Sequence, residues 1–324
     1  MAFFRSTLLA AALLPMTLAA CGGDDGESQP IPEGEHYHYV TNKAFVPTTN
    51  TQAREYGLDL NKDGTVDNQL GMVLSTLGSM GFDIQATIDK AVAEGSIILL
   101  VDFQTKDFSN TTAAGIQVFL GADPTPPACN GTEEYDETTK TGCGHHLAPG
   151  SSFASATGTN AALGGKIING TFNGGPGNLS LQIALGGTTA INLDLIGARS
   201  KASGISADAI GTATSGGVIL GGAVTKEDID TKVIPAIQKQ LGPIITRDCP
   251  TATMANNCTC MDPSTGKTIL GLFDTDKNCE VSVAEIQNNT LIMSLLSPDV
   301  TIDGKMALSL GIKATAVKAE FTAP

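Results

Sequence analysis

Alternation between apolar and polar residues is the feature that most constrains the fold of this chain. Two alternating runs are separated by a turn at Gly186 and Gly187. Their apolar positions are Leu179, Leu181, Ile183 and Leu185 before the turn and Ile191, Leu193 and Leu195 after it. Because strand side chains point alternately to opposite faces, this pattern predicts an antiparallel hairpin with one buried face. Further strands are predicted at 96–103, 116–120, 216–224, 300–302, 306–312 and 317–321.

Apolar residues recur at helical spacing in three other places. Two stripes lie at 70–80 and 84–92 and predict amphipathic helices. A third helix is expected after Thr225, whose hydroxyl can cap the first turn, and Pro235 should kink or break it. Strand patterns occur before and after the helical patterns. The sequence therefore predicts an α+β fold, an antiparallel β-rich domain with amphipathic helices packed on it.

A twelve-residue acidic segment, from Asp274 to Glu285, lies between two apolar stretches. Oxygen-bearing residues occupy its positions 1, 3, 5, 7, 9 and 12, which are Asp274, Asp276, Asn278, Glu280, Ser282 and Glu285. The spacing resembles the loop of an EF-hand. That resemblance implies a Ca²⁺ site in which position 7 contributes its backbone carbonyl and Glu285 contributes both carboxylate oxygens. The alternative is an acidic, solvated turn that precedes a helix.

Position 6 of this segment departs from the EF-hand pattern. Glycine is usual there because the chain turns with a positive φ, whereas this sequence has Cys279. A cysteine side chain is strained in that conformation. Either the loop bends differently or a disulfide holds it in place.

A second calcium-like segment appears early in the chain. Positions 1, 3, 5, 7 and 9 of the pattern are filled by Asp59, Asn61, Asp63, Thr65 and Asp67. Gly64 stands at position 6, but position 12 is Leu70, so the closing carboxylate is missing. The segment resembles the truncated calcium loops of dockerins and thrombospondin type 3 repeats. Those loops occur in tandem and this one does not, so cohesin binding is not implied. The alternative is an Asx-rich turn that caps a helix.

The beginning of the sequence predicts an exported, lipid-anchored protein. Residues 1–20 combine one positive charge, an apolar core and small residues at the end, as in a signal peptide. The stretch Leu18-Ala19-Ala20-Cys21 resembles the bacterial lipobox, which implies lipidation of Cys21 and a membrane partner. Gly22 after this cysteine suggests sorting to the outer membrane. The alternative is a plain secretory signal followed by an incidental cysteine.

The predicted organisation follows from these motifs. The signal peptide at 1–20 is followed by a flexible acidic tether at 21–40 and a single α+β domain at 41–324. A disulfide-braced, EF-hand-like helix-loop-helix is expected as an insertion at 243–298.

Cysteine content agrees with an oxidising compartment. Seven cysteines are present, and setting Cys21 aside leaves six, an even number. Cys129 and Cys143 bracket one loop and are predicted to pair with each other. Four more surround the C-terminal acidic segment and are predicted to form two disulfides whose pairing the sequence leaves open; they are Cys249, Cys258, Cys260 and Cys279. The alternative is a four-thiolate zinc site.

Charge and motifs narrow the function. The formal net charge of −14 argues against nucleic-acid partners, and Ca²⁺ is a natural counterion for such a surface. We find neither His-Glu-x-x-His nor Gly-x-Ser-x-Gly in the sequence. His36 and His38 have strand spacing and are interpreted as part of an exposed strand, with a soft-metal site as the alternative.

These observations predict a non-enzymatic, calcium-binding lipoprotein of the cell envelope, in which Ca²⁺ is structural. One alternative is a carrier of an apolar or lipid ligand, which requires a cavity of at least about 300 Å³. That cavity would be lined by Leu181, Ile183, Leu193 and Leu310. Another is an envelope hydrolase, in which His145 or His146 would converge with a serine or an aspartate.

Overall fold

The computed structural model describes residues 29–79, 84–136, 138–155, 162–183, 191–212 and 214–323. The predicted signal peptide, Cys21, Leu185 and the turn at Gly186 and Gly187 lie outside the described residues. The α+β class is confirmed.

Alternating sequences produce the strands of the fold. They are β1 (Glu35–Phe45), β2 (Leu99–Thr105), β3 (Thr111–Thr125), β4 (Ser151–Ser155), β5 (Leu163–Ile168), β6 (Thr171–Ile183), β7 (Ile191–Ser203), β8 (Ala209–Ile210), β9 (Gly217–Thr225), β10 (Val300–Ile302) and β11 (Lys305–Glu320). Eight of these strands close into an antiparallel barrel in the order β1, β2, β3, β5, β6, β7, β9 and β11, with β11 paired back to β1.

The predicted antiparallel pairing of the two alternating runs is confirmed, and both strands lie in this barrel. Leu179 pairs with Leu195 and Leu181 with Leu193 across β6 and β7, and all four side chains are buried. The rings of Phe103 on β2 and Phe172 on β6 meet edge to face, with centroids 5.2 Å apart, although these strands are not neighbours. The apolar face of the strands therefore fills the interior of the barrel.

A smaller apolar cluster covers the opposite face of β1, β2 and β3. We call it the outer cluster, and it consists of Val40, Ile98, Leu100, Phe119, Phe153, Ala319 and Phe321. Strand β4 contributes to it by pairing with β3 and, in parallel, with β11. Strand β1 begins at Glu35, inside the stretch 21–40 predicted as a tether. The folded domain starts earlier than predicted because residues from Glu35 onward pair with β2, and Tyr39 is fully buried.

Helices follow the apolar stripes. They are α1 (Asn50–Glu55), α2 (Gln69–Ser79), α3 (Ile84–Ala93), α4 (Lys226–Asp228), α5 (Ile234–Asp248), α6 (Thr265–Phe273), α7 (Val283–Asn288) and α8 (Thr290–Leu295). As predicted, the Thr225 hydroxyl caps α4 by accepting from the Asp228 N–H. A π-helical turn, Ile229–Val233, lies immediately before Pro235, where the sequence indicated an irregularity. The helical part between β9 and β10 thus begins before residue 243, the predicted start of the insertion.

Asn68 ties the N-terminal helices to the last strand. Its Nδ2 donates to the carbonyls of Ala53 in α1 (2.9 Å) and Gly311 in β11 (3.0 Å). Its Oδ1 accepts from the N–H groups of Gly71 in α2 (3.0 Å) and Gly311 (2.7 Å). A side chain at Gly311 would meet the Tyr56 carbonyl oxygen at 2.2 Å, so this close approach requires glycine. One buried amide therefore connects three elements.

Replacing this amide should weaken the whole domain. Asn68→Ala leaves buried backbone groups without their partners, and we expect the free energy of unfolding to fall by about 3 kcal/mol in urea denaturation. Asn288→Ala, at an exposed position of α7, is the matched control and should change it by less than about 0.5 kcal/mol. Equal effects of the two substitutions would contradict the role given to Asn68.

Candidate metal centre

The C-terminal acidic loop lies between α6 and α7. Asp274 ends α6 and Ser282 caps α7, so two helix boundaries fix the ends of the loop. Phe273, Val281 and Ile286 are buried at its two ends. These apolar anchors leave the oxygen-bearing residues between them at the surface, where a cation can reach them.

Hydrogen bonds within the loop wind it around its first residue. The Asp274 carboxylate accepts from the N–H groups of Asn278 (3.0 Å) and Cys279 (2.9 Å). The Asn278 Oδ1 accepts from the N–H of Glu280 (2.8 Å). These hydrogen bonds, with those between Asn278 and Asp276, bring the side chains at positions 1, 3 and 5 of the loop close together.

Glu285 closes the loop from the first turn of α7. Its Oε1 accepts from the Thr275 N–H (2.7 Å) and its Oε2 from the Ser282 N–H (2.9 Å). Partial burial opposes ionisation, but hydrogen bonds from Ser282 and Thr275 outweigh it and lower the pKa of Glu285 to about 2. The carboxylate is therefore charged at neutral pH and stands opposite Asp274.

Three of the six predicted ligands converge. Asp274, Asp276 and Glu285 each present an oxygen, and the three oxygens lie within 4.8 Å of one another. Asn278 sits beside them, with its Nδ2 3.1 Å from Asp276 Oδ2. Ser282 donates its hydroxyl to Glu285. The Glu280 side chain is exposed, which agrees with a position at which only the backbone carbonyl is needed.

A disulfide holds the unusual residue at position 6. Cys279 has φ +70°, in the left-handed region where glycine is usual, and it is bonded to Cys258, whose φ is +54°. Cys249 bonds Cys260, and Cys129 bonds Cys143 as predicted. The four-thiolate zinc site is not formed, since all four of its sulfur atoms are in disulfides. The covalent bond therefore compensates for the missing glycine.

The early acidic loop has the same local geometry. Asp59 accepts from the N–H groups of Asp63 (3.1 Å) and Gly64 (2.9 Å), as Asp274 does from its own positions 5 and 6. Asp63 accepts from the Thr65 N–H (2.7 Å). Positions 4 and 6 have positive φ in both loops, at Lys62 and Gly64 here and at Lys277 and Cys279 there. Two segments far apart in the sequence thus adopt the same turn conformation.

The two loops close differently. Asp67 turns inward and its Oδ2 accepts from the Leu60 N–H at 2.8 Å, while Leu70 at position 12 is buried in the core. Burial raises the pKa of Asp67, and nearby Asp299 adds to the shift. Sequence reasoning missed Asp299, which follows a helix and has no motif around it. Among the described residues, the clusters with three ligand atoms within 4.8 Å include none from this loop.

The histidines considered for a hydrolase lie outside both acidic loops. His145 Nε2 lies 3.0 Å from Glu133, and His146 is fully buried with no partner for either ring nitrogen. Neither position brings a histidine to a serine or an aspartate in the contacts described. An apolar cavity beside β1 and α3 holds about 30 Å³, room for about one water molecule. Two open surface clefts, of about 410 and 640 Å³, have none of the residues predicted for a carrier cavity among their described lining residues.

The residues proposed to line a carrier cavity are packed in the interior instead. Leu181, Leu193 and Leu310 are buried in the core, and the side chain of Ile183 lies outside the described part.

The compartment follows from the disulfides. Three of them indicate an oxidising, extracytoplasmic environment. In the part of the chain that the structure covers, no helix has both the length and the apolar character needed to cross a membrane.

Comparison with known proteins finds no relative of this chain. No protein-family model matches the sequence, and neither a curated protein nor a solved structure matches the chain.

His146 should make the domain sensitive to acid. Burial, with a smaller effect of His145, lowers the pKa of His146 to about 4, below its usual value near 6.5. The unfolded chain binds this proton at a higher pH than the folded one, so stability is complete above pH 6.5 and falls as the pH drops toward 4.

The free energy of unfolding of wild type should decrease between pH 7 and pH 4.5, as measured by urea denaturation. In His146→Leu this decrease should be smaller by about 2 kcal/mol. His145→Gln, at an exposed neighbour that supplies only the smaller part of the pKa shift, should reduce the decrease by much less. An identical pH dependence in wild type and His146→Leu would show that this histidine does not contribute.

Proposed function

We propose that this chain is a non-enzymatic, calcium-binding lipoprotein of the cell envelope, in which Ca²⁺ is structural. The observation that carries the proposal is the convergence of Asp274, Asp276 and Glu285 within 4.8 Å, in a loop whose twelve-residue spacing resembles an EF-hand. The three ligand atoms are oxygens, and the sulfur atoms of Cys279 in the loop and Cys258 beside it are bonded to each other in a disulfide. Oxygen donors of this kind favour a hard cation such as Ca²⁺.

The ion would be held by the side chains of Asp274, Asp276, Asn278 and Glu285. The backbone carbonyl of Glu280 and a water on Ser282 would complete the shell, as the resemblance implies. Calcium supplies positive charge that offsets the repulsion among the three carboxylates. The early loop is proposed as a second, weaker site, because Asp59, Asn61, Asp63 and the Thr65 carbonyl follow the same pattern without a carboxylate at position 12.

Binding at the C-terminal loop would stabilise the helical part as a unit. The loop joins α6 to α7, and the Val281 carbonyl at its end accepts from Gln238 Nε2 of α5 at 3.0 Å. Lys232, in the π-helical turn that joins α4 to α5, pairs with Asp194 on β7 at 3.3 Å. A cation that fixes the loop therefore limits movement of α6 and α7 against α5, which is attached to the barrel.

Calcium should raise the melting temperature. Loops of extracellular modules bind Ca²⁺ with dissociation constants of about 10⁻⁴–10⁻³ M, so about 5 mM Ca²⁺ adds about 1–2 kcal/mol over EGTA, a shift of about 3 °C or more. Glu285→Gln should abolish most of the shift, because it removes the charge that closes the loop. Asp63→Ala should remove a smaller part if the early loop also binds.

Controls separate binding at the loop from a general ionic effect. Glu134→Gln, at an exposed position outside both loops, should keep the full calcium shift, and Mg²⁺ at the same concentration should produce a smaller one. If wild type melts at the same temperature in Ca²⁺ and in EGTA, the loops are only turns and the proposal fails.

The lipid anchor is proposed from the sequence around Cys21, which resembles a lipobox. Expressed with its leader in a bacterium, the chain should lose residues 1–20, gain the mass of acyl chains on Cys21 and fractionate with membranes. Cys21→Ala should yield a protein without lipid that leaves the membrane fraction, while Cys129→Ala with Cys143→Ala should stay lipidated. A mature wild-type protein with an unmodified Cys21 would overturn this part of the proposal.

A further inference from the structure

Two histidines and a buried aspartate meet on the outer face of the barrel. His36 and His38 are two residues apart on β1, so their side chains share one face of the sheet. Asp102 on β2 is paired with His38 in the register of the two strands. This face is the one that carries the outer cluster, because Val40 and Leu100 continue the same alternation.

The ligand atoms are close to the spacing of a metal site. His36 Nδ1 lies 2.8 Å from Asp102 Oδ2, and His38 Nε2 lies 3.8 Å from Asp102 Oδ1. All three side chains offer a ligand atom within 4.8 Å of the others. Two ligands at bond lengths of 2.0–2.1 Å around a tetrahedral ion are about 3.3 Å apart, a value between the two observed distances.

The surroundings hold the site in shape and leave it accessible. The Asp102 side chain is only 5 % exposed, while those of His36 and His38 are 51 % and 28 % exposed. The His38 ring stacks on Phe321 with centroids 4.3 Å apart and an angle of 25°. The carboxylate is therefore fixed from within the sheet, one imidazole is oriented by stacking, and the solvent side remains open for an incoming ion and its water.

We propose that His36, His38 and Asp102 bind one divalent transition-metal ion of the zinc type. Imidazole nitrogen favours Zn²⁺, Ni²⁺, Co²⁺ or Cu²⁺ over Ca²⁺, which takes oxygen ligands. Three protein ligands leave an open position for water or an exchangeable group. None of these residues belongs to either acidic loop, so this site and the calcium sites are independent. The ion would join β1, whose first residues lie in the stretch predicted as a tether, to β2 by bonds stronger than the existing His–Asp contacts.

Zinc titration of the full chain tests the proposal. In calorimetry with about 5 mM Ca²⁺ present to occupy the acidic loops, we expect one Zn²⁺ per chain. His36→Gln and His38→Gln should each weaken binding at least 10-fold, since loss of even an outer partner of a metal ligand costs about 10–100-fold. Co²⁺ should give a visible absorption band that Zn²⁺ displaces and excess Ca²⁺ does not.

Matched variants identify the ligands. His145→Gln removes an exposed histidine that pairs with Glu133, and Glu285→Gln removes the closing residue of the calcium loop; both should keep wild-type zinc affinity. Asp102→Asn changes a buried side chain and can fail to fold, whereas His36→Gln changes a half-exposed one. Circular dichroism shows whether each variant is folded before its zinc affinity is compared with that of wild type. Binding that persists in the folded His36→Gln/His38→Gln double variant, or no stoichiometric Zn²⁺ binding by wild type, would overturn the proposal and leave a His36–Asp102 hydrogen bond.

Discussion

Pairing between the first described strand and the last one closes the barrel, and the rest of the structure depends on it. Strand β11 pairs with β1 on one side and β9 on the other, and β4, β8 and β10 also pair with it. Closure leaves the eight strands without an open edge and encloses an apolar interior. The helices pack their apolar side chains into the same hydrophobic cluster as the interior residues of the barrel. Polar contacts add to this packing, through the Asn68 amide at β11 and the Lys232–Asp194 pair at β7.

Local features were readable from the sequence, whereas contacts between distant segments were not. The hairpin of β6 and β7, the cap at Thr225 and the turn of both acidic loops depend on neighbouring residues, so spacing alone predicts them. Closure by β1 and β11 involves residues about as far apart as the chain allows, and no periodicity encodes it. Asp102 illustrates the same limit, because it interrupts an apolar run and its partners are on another strand.

The two acidic loops show which part of a calcium-loop pattern decides its chemistry. Positions 1 to 6 generate the same turn in both, with the first aspartate accepting from two backbone N–H groups. At the other end, Glu285 points back into one loop, while Asp67 and Leu70 point into the protein from the other. The first six positions thus determine the turn. The number of carboxylates that face one another in the loop depends on the residues at positions 9 and 12. The two loops look alike in sequence because most of the shared pattern lies in the positions that form the turn.

The Cys258–Cys279 bond places the C-terminal loop under the control of oxidation. With Cys279 reduced, its left-handed conformation would depend on the backbone hydrogen bonds of the loop alone, and a residue with a Cβ is disfavoured in that conformation. The shape of this loop therefore suits an oxidising compartment, in which the bond that holds Cys279 persists.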